Sequence, residues 1–167
     1  MNMKRASAII FVRKHKNKYE FLFQHRPAYF SSGGNTLSLV QGGIDYPEAS
    51  ITAAYREACE EASFSKCMTF QEFQKHAIRL SKGIYNVYLL NLSKFDNKCL
   101  KKWKPAPYPA FSKEINMTKF KNGHVWISID MLGRLLKGNT LRGVKIWDKT
   151  IHYFTTTNNW NQIKSLL

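Results

Sequence analysis

The sequence predicts one α+β domain spanning residues 1–167. Two observations support this prediction: strand-like runs are interspersed with two or three helical segments, and no linker or internal repeat divides the chain. Hydrophobic residues make up 44% of the 167 residues, which is sufficient to build a single buried core.

Strands dominate the first part of the chain. The β-branched and aromatic runs 6–12 and 19–26 are separated by a polar segment, which is typical of a hairpin. The breaker-rich segment 27–35 predicts a loop. The alternation over 36–40 predicts a short strand that runs into the glycine pair Gly42 and Gly43.

Helical and strand patterns alternate in the middle of the chain. The apolar spacing predicts a helix over 50–62, while 70–80 is compatible with either a helix or a strand. The clearest strand pattern lies at 83–92. The polar, proline-containing stretch 93–123 predicts a long irregular excursion, and excursions of this length in compact domains are usually functional or disordered.

The C-terminal segments complete the α+β pattern. Residues 124–129 predict a strand, followed by a helix that begins at a capping Asp130 and ends at Gly138. Residues 145–154 predict a further strand and 158–167 a terminal helix.

The chain is strongly basic. Its 26 Lys and Arg residues against 11 Asp and Glu residues leave a formal net charge of +15. A positive field of this size suits polyanionic partners such as nucleotides or nucleic acid. The alternative is a solvated basic surface with no partner.

Cysteine usage and hydropathy bear on the compartment. Cys59, Cys67 and Cys99 are odd in number and lack CxxC spacing, so we expect three reduced thiols and neither a disulfide framework nor a zinc site. No apolar run approaches the roughly 20 residues of a membrane span, so we expect no membrane partner and a cytoplasmic location. The basic, acid-free N-terminus is also compatible with an organelle address.

Three glutamates of the predicted helix 50–62 stand close together. Glu57, Glu60 and Glu61 have the spacing i, i+3 and i+4, which places them on one helix face. Their mutual repulsion costs roughly a few tenths of a kcal/mol per pair in an exposed helix, and a hard cation such as Mg²⁺ removes it. The alternative is a solvated acidic face on an ordinary amphipathic helix.

The residues around these glutamates form a longer motif. Counting from Gly42, the chain reads G-x5-E-x7-R-E-x-x-E-E, with Glu48 and Arg56 at the remaining charged positions. This resembles the signature of the Nudix hydrolases. The "QGGID" and "YRE" sequences at 41–45 and 55–57 are similar to those of the RNA 5′-pyrophosphohydrolases and dinucleoside polyphosphate hydrolases of that family.

The resemblance implies a fold and a site. The fold is a mixed β-sheet sandwiched between α-helices. Glu57, Glu60 and Glu61 would be the catalytic residues and would hold Mg²⁺, with Mn²⁺ as a possible substitute, together with a backbone carbonyl of Gly42 or Gly43. Glu48 and Arg56 would brace the loop against the helix.

The resemblance also implies a reaction. It is attack of water on a pyrophosphate linkage of a nucleoside diphosphate-linked substrate, with 5′-polyphosphorylated or capped RNA or a dinucleoside polyphosphate favoured by the charge. The alternative function is a Nudix-fold RNA-binding module with little or no catalysis. The chain departs from the family pattern at Pro47, Ala58 and Ser63, and at Lys119, where the related branch often has a glutamate.

Basic residues outside the motif are candidates for substrate binding. They are Arg5, Arg26, Lys82 and Lys119. The segment 100–111 mixes basic and aromatic residues, which suits base stacking, but a proline-stiffened surface loop anchored by Trp103 fits the same pattern.

Overall fold

The structure is a computed structural model that describes residues 4–28, 30, 32–107, 120–156 and 159–167. These residues form one mixed sheet with helices on both of its faces. The predicted α+β class and the sandwich of helices around a mixed sheet are therefore confirmed.

The sheet contains eight described strands. They are β1 (Ala6–His15), β2 (Lys18–Arg26), β3 (Thr36–Ser38), β4 (Val40–Gly43), β5 (Ile78–Ser81), β6 (Tyr85–Asn91), β7 (His124–Ser128) and β8 (Lys145–Ile146). Along the sheet the order is β5-β6-β1-β2-β3-β8, with β4 paired to β1 and β7 paired to β2. β1 runs parallel to β6 and antiparallel to β2 and β4. The two longest strands, β1 and β2, are therefore neighbours in the middle of the sheet.

Six α-helices are described. They are α1 (Ser50–Ala62), α2 (Phe70–His76), α3 (Lys98–Lys102), α4 (Ile129–Leu136), α5 (Asp148–Thr155) and α6 (Asn159–Ser165). Short 3-10 turns lie at Phe64–Lys66, Leu92–Lys94 and Lys121–Gly123.

Strand β1 has a core on both sides because successive side chains of a strand point to opposite faces. Ile10 and Val12 lie in one hydrophobic cluster with residues of α4, α5 and α6. Ile9 and Phe11 lie in the other cluster, against the alanines of α1. The apolar stripe predicted for α1 is therefore the face that packs on the sheet, and the acidic face is directed elsewhere.

Several sequence-based element predictions need correction. The ambiguous segment 70–80 contains helix α2 and strand β5 in succession. The stretch expected to be irregular contains α3, whose first turn is capped by the Asn97 side chain accepting from the backbone N–H groups of Cys99 and Leu100. The cap of helix α4 lies two residues earlier than predicted: it is Ser128, whose side chain accepts from the Met131 N–H, whereas Asp130 lies in the first turn.

The strand predicted over 145–154 is mostly wrong. Only Lys145–Ile146 forms a strand, and helix α5 begins at Asp148 after an extended Trp147. Thr150, Tyr153 and Phe154 of this helix are buried, at the i, i+3 and i+4 spacing of one helix face. Packing of this face on the sheet therefore favours a helix, although the aromatic content of the segment is typical of a strand.

The expectation of three reduced thiols is also wrong. Cys67 and Cys99 form a disulfide, and Cys59 is the free, buried cysteine. The two bonded residues are separated by 32 positions, and folding of α3 against the end of α1 brings them together. The disulfide joins the turn after α1 to α3. None of the helices among the described residues is long and apolar enough to cross a membrane.

Candidate functional site

A cleft of about 330 Å³ lies beside the acidic face of α1. It is lined by Glu57, Glu60 and Glu61 of the helix, by 24–27 and Phe30 from β2 and the loop after it, and by 122–124 at the start of β7. Its volume lies near the lower end of the range for ligand pockets. The three predicted catalytic glutamates therefore share one concave site.

Gly42 allows Glu57 to approach the backbone of β4. A Cβ atom at position 42 would coincide with the carboxyl group of Glu57, so no larger residue fits there without moving that side chain. Glu57 is 9% exposed. The absence of a side chain at Gly42 therefore allows the Glu57 carboxylate to lie this close to strand β4.

Arg56 connects the loop before α1 to the helix itself. Its Nη2 donates to Glu48 Oε1 at 2.7 Å and to the carbonyl oxygen of Gly43 at 2.9 Å. Its Nη1 donates to Glu57 Oε1 at 2.7 Å. These hydrogen bonds from Arg56 lower the pKa of Glu48. One guanidinium thus holds the loop, the glycine strand and a cleft carboxylate in a single arrangement.

The electrostatic environment differs among the glutamates. Burial, followed by the neighbouring carboxyl of Glu57, raises the pKa of Glu61 well above its usual value. Glu60 lies 3.6 Å from Arg56 Nη1 and is about one third exposed. The cleft therefore has a concentration of carboxyl groups that is only partly compensated by Arg56 and Arg26.

The cleft carboxylates have the oxygen-donor chemistry that a divalent cation such as Mg²⁺ prefers. Within the part of the chain that the structure describes, no three His, Cys, Asp or Glu side chains converge closely enough to ligate one ion. Mg²⁺, however, is usually held by one or two carboxylates and keeps several waters or phosphate oxygens. Glu60 and Glu61 at the cleft, with Glu57 beside the Gly42 backbone, fit such an open site.

Helix α1 ends at Ser63 in the conformation that the motif requires. Ser63 has φ 54° and ψ 37°, in the left-handed region where glycine is usual. Its backbone N–H bonds the carbonyls of Ala58 and Cys59, and its hydroxyl donates to the Ala106 carbonyl at 2.5 Å. The serine therefore preserves the turn and attaches the segment that leads to Pro107 at the cleft.

The candidate substrate-binding residues are placed differently. Arg26 lines the cleft, lies 4.8 Å from the Phe30 ring and 4.2 Å from the Trp147 ring, and donates to the Ser32 carbonyl. Arg5 and Lys82 are exposed and do not line the cleft. Lys119 lies outside the described residues.

The aromatic residue of the basic segment is structural. Trp103 is 7% exposed, and its Nε1 donates to the Ala62 carbonyl at 2.9 Å. Its ring packs on Phe11 and Phe64. Of the two interpretations of this segment, the anchored loop holds for Trp103, and its remaining aromatic residues, Tyr108 and Phe111, lie outside the described residues.

Two cleft residues, His25 and His124, were not among the candidate site residues. His124 opens β7, which pairs with β2 so that His124 lies opposite Gln24. Strand pairing between segments about a hundred residues apart brings these side chains together, and no local spacing signals it. In the sequence, the one indication that His25 lies at the cleft was its position next to Arg26 at the end of β2.

Comparison with known families identifies the fold and the motif. A profile of the NUDIX domain matches residues 3–90 of the chain, which includes β1, the loop, α1 and most of β6. No curated protein sequence matches.

Solved structures share the fold at low sequence identity. The Nudix domain of Shewanella oneidensis NrtR, in a complex with ADP ribose, aligns with a TM-score of 0.58 and 9% identity over 100% of this chain and 90% of that chain. The M. smegmatis Nudix hydrolase RenU aligns with a TM-score of 0.55 and 13% identity, over 99% and 87%. T. brucei MERS1, in a complex with RNA, aligns with a TM-score of 0.57 and 11% identity, over 85% and 58%.

Proposed function

Because the chain belongs to the Nudix hydrolase family, we propose that it hydrolyses a pyrophosphate linkage in a nucleoside diphosphate-linked substrate. The observation that supports this most directly is the arrangement of α1. The three glutamates that the motif places on α1 border one cleft, and Arg56 holds Glu57 against the Gly42 backbone. We infer that this cleft is the active site.

The residues that would hold Mg²⁺ or Mn²⁺ are Glu57, Glu60 and Glu61, with one or two of these carboxylates on any one ion and the carbonyl of Gly42 as a further oxygen ligand. A bound divalent ion would neutralise negative charge on the phosphates and would lower the pKa of a bound water. Carboxylate oxygens are the ligands that such hard cations prefer. The donor set of the helix is consistent with this chemistry.

The protein's own residues would have distinct tasks. Arg56 and Glu48 keep the loop and α1 at a constant separation through the hydrogen bonds described above. Glu57 accepts a hydrogen bond from Arg56 beside the strand, which favours a role as a ligand. Glu61, whose pKa is raised by burial and by the neighbouring carboxyl of Glu57, is the better candidate to accept the proton of the attacking water.

The substrate is proposed from charge and from the cleft. Arg26 is a fixed cation at the cleft and suits the phosphates of the substrate. The net charge of +15 favours a long polyanion, so we propose 5′-polyphosphorylated or capped RNA, or a dinucleoside polyphosphate. A cytoplasmic location remains part of this proposal.

The test is a substrate panel. The protein is incubated with Mg²⁺ and triphosphorylated RNA, capped RNA, Ap4A, dNTPs or ADP-ribose, and release of phosphate, pyrophosphate or nucleotide is measured. Glu60→Gln and Glu61→Gln should each reduce turnover at least about 100-fold, because each removes a charge from the site. Asp130→Asn is the matched control, since Asp130 is exposed on α4. No turnover of any substrate by the unmodified protein would overturn the proposal.

A second function is an RNA-binding module with little or no catalysis. The basic charge and the shared fold with MERS1, which is solved with RNA, favour this alternative. Retention of all four motif glutamates favours the enzyme. Tight RNA binding without turnover, unaffected by Glu60→Gln, would select the binding module.

A further inference from the structure

The segment 100–107 borders three concave surfaces in succession. Pro107 lines the glutamate cleft, and Ala106, one residue earlier, lines a second depression of about 360 Å³. Leu100 and Lys101 line a third depression, of about 460 Å³, whose opposite side is the β1–β2 hairpin. One stretch of chain therefore leads from the cleft to the tip of that hairpin.

The second and third depressions are basic. None of the described residues that line them is Asp or Glu. The charge of Arg13 in the third depression is offset by an ion pair with Glu20 at 2.9 Å. That of Lys101 is offset by an ion pair with Asp96 at 2.7 Å. The other lysines of the two depressions are exposed, and we call them the basic track: Lys14, Lys16, Lys66, Lys102 and Lys104.

The hairpin end of the basic track has a defined backbone. Lys16 and Asn17 have φ values of 48° and 62°, and a two-residue hairpin turn of type I′ needs positive φ at both positions. The pairing of β1 with β2 continues to His15 and Lys18, which flank this turn. Lys14 and Lys16 are therefore carried by paired strand and by a tight turn.

The segment end of the basic track is held against the end of α1. Trp103 Nε1 donates to the Ala62 carbonyl at 2.9 Å, and the Ser63 hydroxyl donates to the Ala106 carbonyl at 2.5 Å. The disulfide joins α3 to the turn after α1. The lysines on either side of Trp103 thus belong to an anchored backbone, which lowers the entropy cost of binding a ligand there.

The length of the segment sets the size of a ligand that follows it. Lys101 and Pro107 are six residues apart, so their Cα atoms lie at most about 22 Å from each other. Successive phosphates of a stacked nucleic acid strand are about 3.4 Å apart along its axis, so about six nucleotides span this distance. A dinucleoside polyphosphate has all of its phosphates between its two nucleosides. Once these lie in the cleft, no charge remains for the basic track.

An anionic membrane is the other polyanion that a basic surface attracts. Peripheral binding to a bilayer combines cations with apolar side chains that enter the headgroup region. Among the residues that the structure describes, the exposed large hydrophobic side chains are Tyr46, Ile78 and Ile84, and none of them belongs to 13–18 or 100–107. A concave, basic surface that continues into a cleft therefore fits a nucleic acid strand better than a bilayer.

We infer that the basic track binds the phosphate backbone of an RNA strand that continues from a 5′ end held in the glutamate cleft. The inference rests on the proposed function in that it places the 5′ polyphosphate in this cleft, and it selects RNA over a dinucleoside polyphosphate as the substrate class. Lysines contact phosphates as point charges, so this binding is independent of base sequence.

The experiment varies the length of the RNA. Triphosphorylated RNAs of about 2, 6 and 12 nucleotides fall short of, match and exceed the distance to the hairpin. For each length, kcat/KM is measured with Mg²⁺, and the dissociation constant is measured by fluorescence anisotropy at several salt concentrations. Vesicles containing phosphatidylserine are tested for binding in parallel.

Three double variants, each lacking two positive charges, are compared with the unmodified protein. Lys14→Gln with Lys16→Gln changes the hairpin, and Lys102→Gln with Lys104→Gln changes the segment. The matched control is Arg134→Gln with Lys137→Gln, at exposed positions where α4 ends. Helix α4 packs on the sheet face opposite α1, so this control changes the net charge equally but leaves the basic track intact.

For the unmodified protein, kcat/KM should rise about tenfold from the shortest to the longest RNA, because only the longer RNAs gain contacts with the basic track. Both track variants should lose most of this rise, and the control should keep it. Each track variant should also reduce the slope of log K against log salt by about 1.4, since one phosphate contact contributes about 0.7 for a single strand. The kcat/KM of the shortest RNA should be unchanged, which excludes unfolding as the cause.

Three results would overturn the inference. The first is equal kcat/KM and equal affinity for all three lengths with the unmodified protein. The second is a loss in the α4 control as large as in the track variants, since net charge alone would then be responsible. The third is binding to the vesicles that the longest RNA does not displace, which would assign the basic track to a membrane surface.

The same data separate this inference from the proposed hydrolysis. Affinity that increases with RNA length and is lost in the track variants, without turnover of any RNA, would support the basic track and count against the hydrolase. Turnover that is independent of RNA length would support the hydrolase and overturn the basic track.

Discussion

The carboxyl group of Glu57 occupies the space in which a Cβ atom of residue 42 would lie. Residue 42 must therefore be glycine if Glu57, fifteen residues later in the sequence, is to keep its position. The glycine thus does more than permit a turn. The hydrogen bond from Arg56 Nη1 to Glu57 Oε1 at 2.7 Å fixes the same carboxyl group from the other side.

Replacement of Gly42 by alanine should displace Glu57. We expect a loss of about 1–3 kcal/mol in the free energy of unfolding from overpacking, and a loss of most hydrolytic activity. Gly43→Ala is the matched control, because a Cβ there meets the Cε atom of Lys4, the flexible end of a side chain, at 3.3 Å. Urea denaturation and turnover of the best panel substrate measure both effects. Equal behaviour of the two variants would contradict the steric argument.

Replacement of Arg56 by lysine should loosen the loop although the charge is kept. A single ammonium cannot reach Glu48, Glu57 and the Gly43 carbonyl together, whereas the planar guanidinium does. We expect about 1–3 kcal/mol of destabilisation and at least a tenfold lower kcat. Arg134→Lys, at an exposed position of α4, is the control and should change neither quantity.

Burial of His124 predicts a contribution to the pH dependence of stability. The residue takes up a proton near pH 6.5 when unfolded, but only near pH 4 when folded. The unfolded state therefore binds more protons between these values, and stability falls as the pH falls from about 6.5 to about 4.

Between pH 7 and pH 5, this residue should account for a loss of about 2 kcal/mol in the free energy of unfolding. The measurement is denaturant unfolding at both pH values for the unmodified protein and for His124→Gln, which cannot titrate. Subtraction of the two pH differences removes the other titrating groups. Equal pH differences for the two proteins would show that His124 has the same pKa in the folded and unfolded states, which would contradict the prediction.

The disulfide between Cys67 and Cys99 should stabilise the folded protein, because it joins the turn after α1 to α3. It closes a chain of 32 positions, for which the loss of unfolded-state entropy contributes about 2–4 kcal/mol. Cys99→Ser, or treatment of the unmodified protein with a reducing agent, should lower the melting temperature to the same extent. The reducing agent should have no further effect on Cys99→Ser, and a melting temperature indifferent to reduction would contradict the bond's role.

Local sequence patterns predicted the elements whose burial follows one regular period. Helix α1 was predicted with its bounds because its alanine stripe and its three glutamates both follow the helical repeat. Helix α5 was predicted as a strand because its aromatic and β-branched residues resemble strand composition, and only burial of one face on the sheet decides for the helix.

The sequence by itself determined the family, the acidic helix and the spacing of its glutamates, since neighbours within a helix are set by a constant rise and rotation per residue. Only the tertiary structure decided that Glu57 lies against Gly42, that Cys67 meets Cys99, and that His25 and His124 share the glutamate cleft. These contacts join segments far apart in the chain. They depend on strand pairing and register, which the packing of the whole sheet determines and no local spacing encodes.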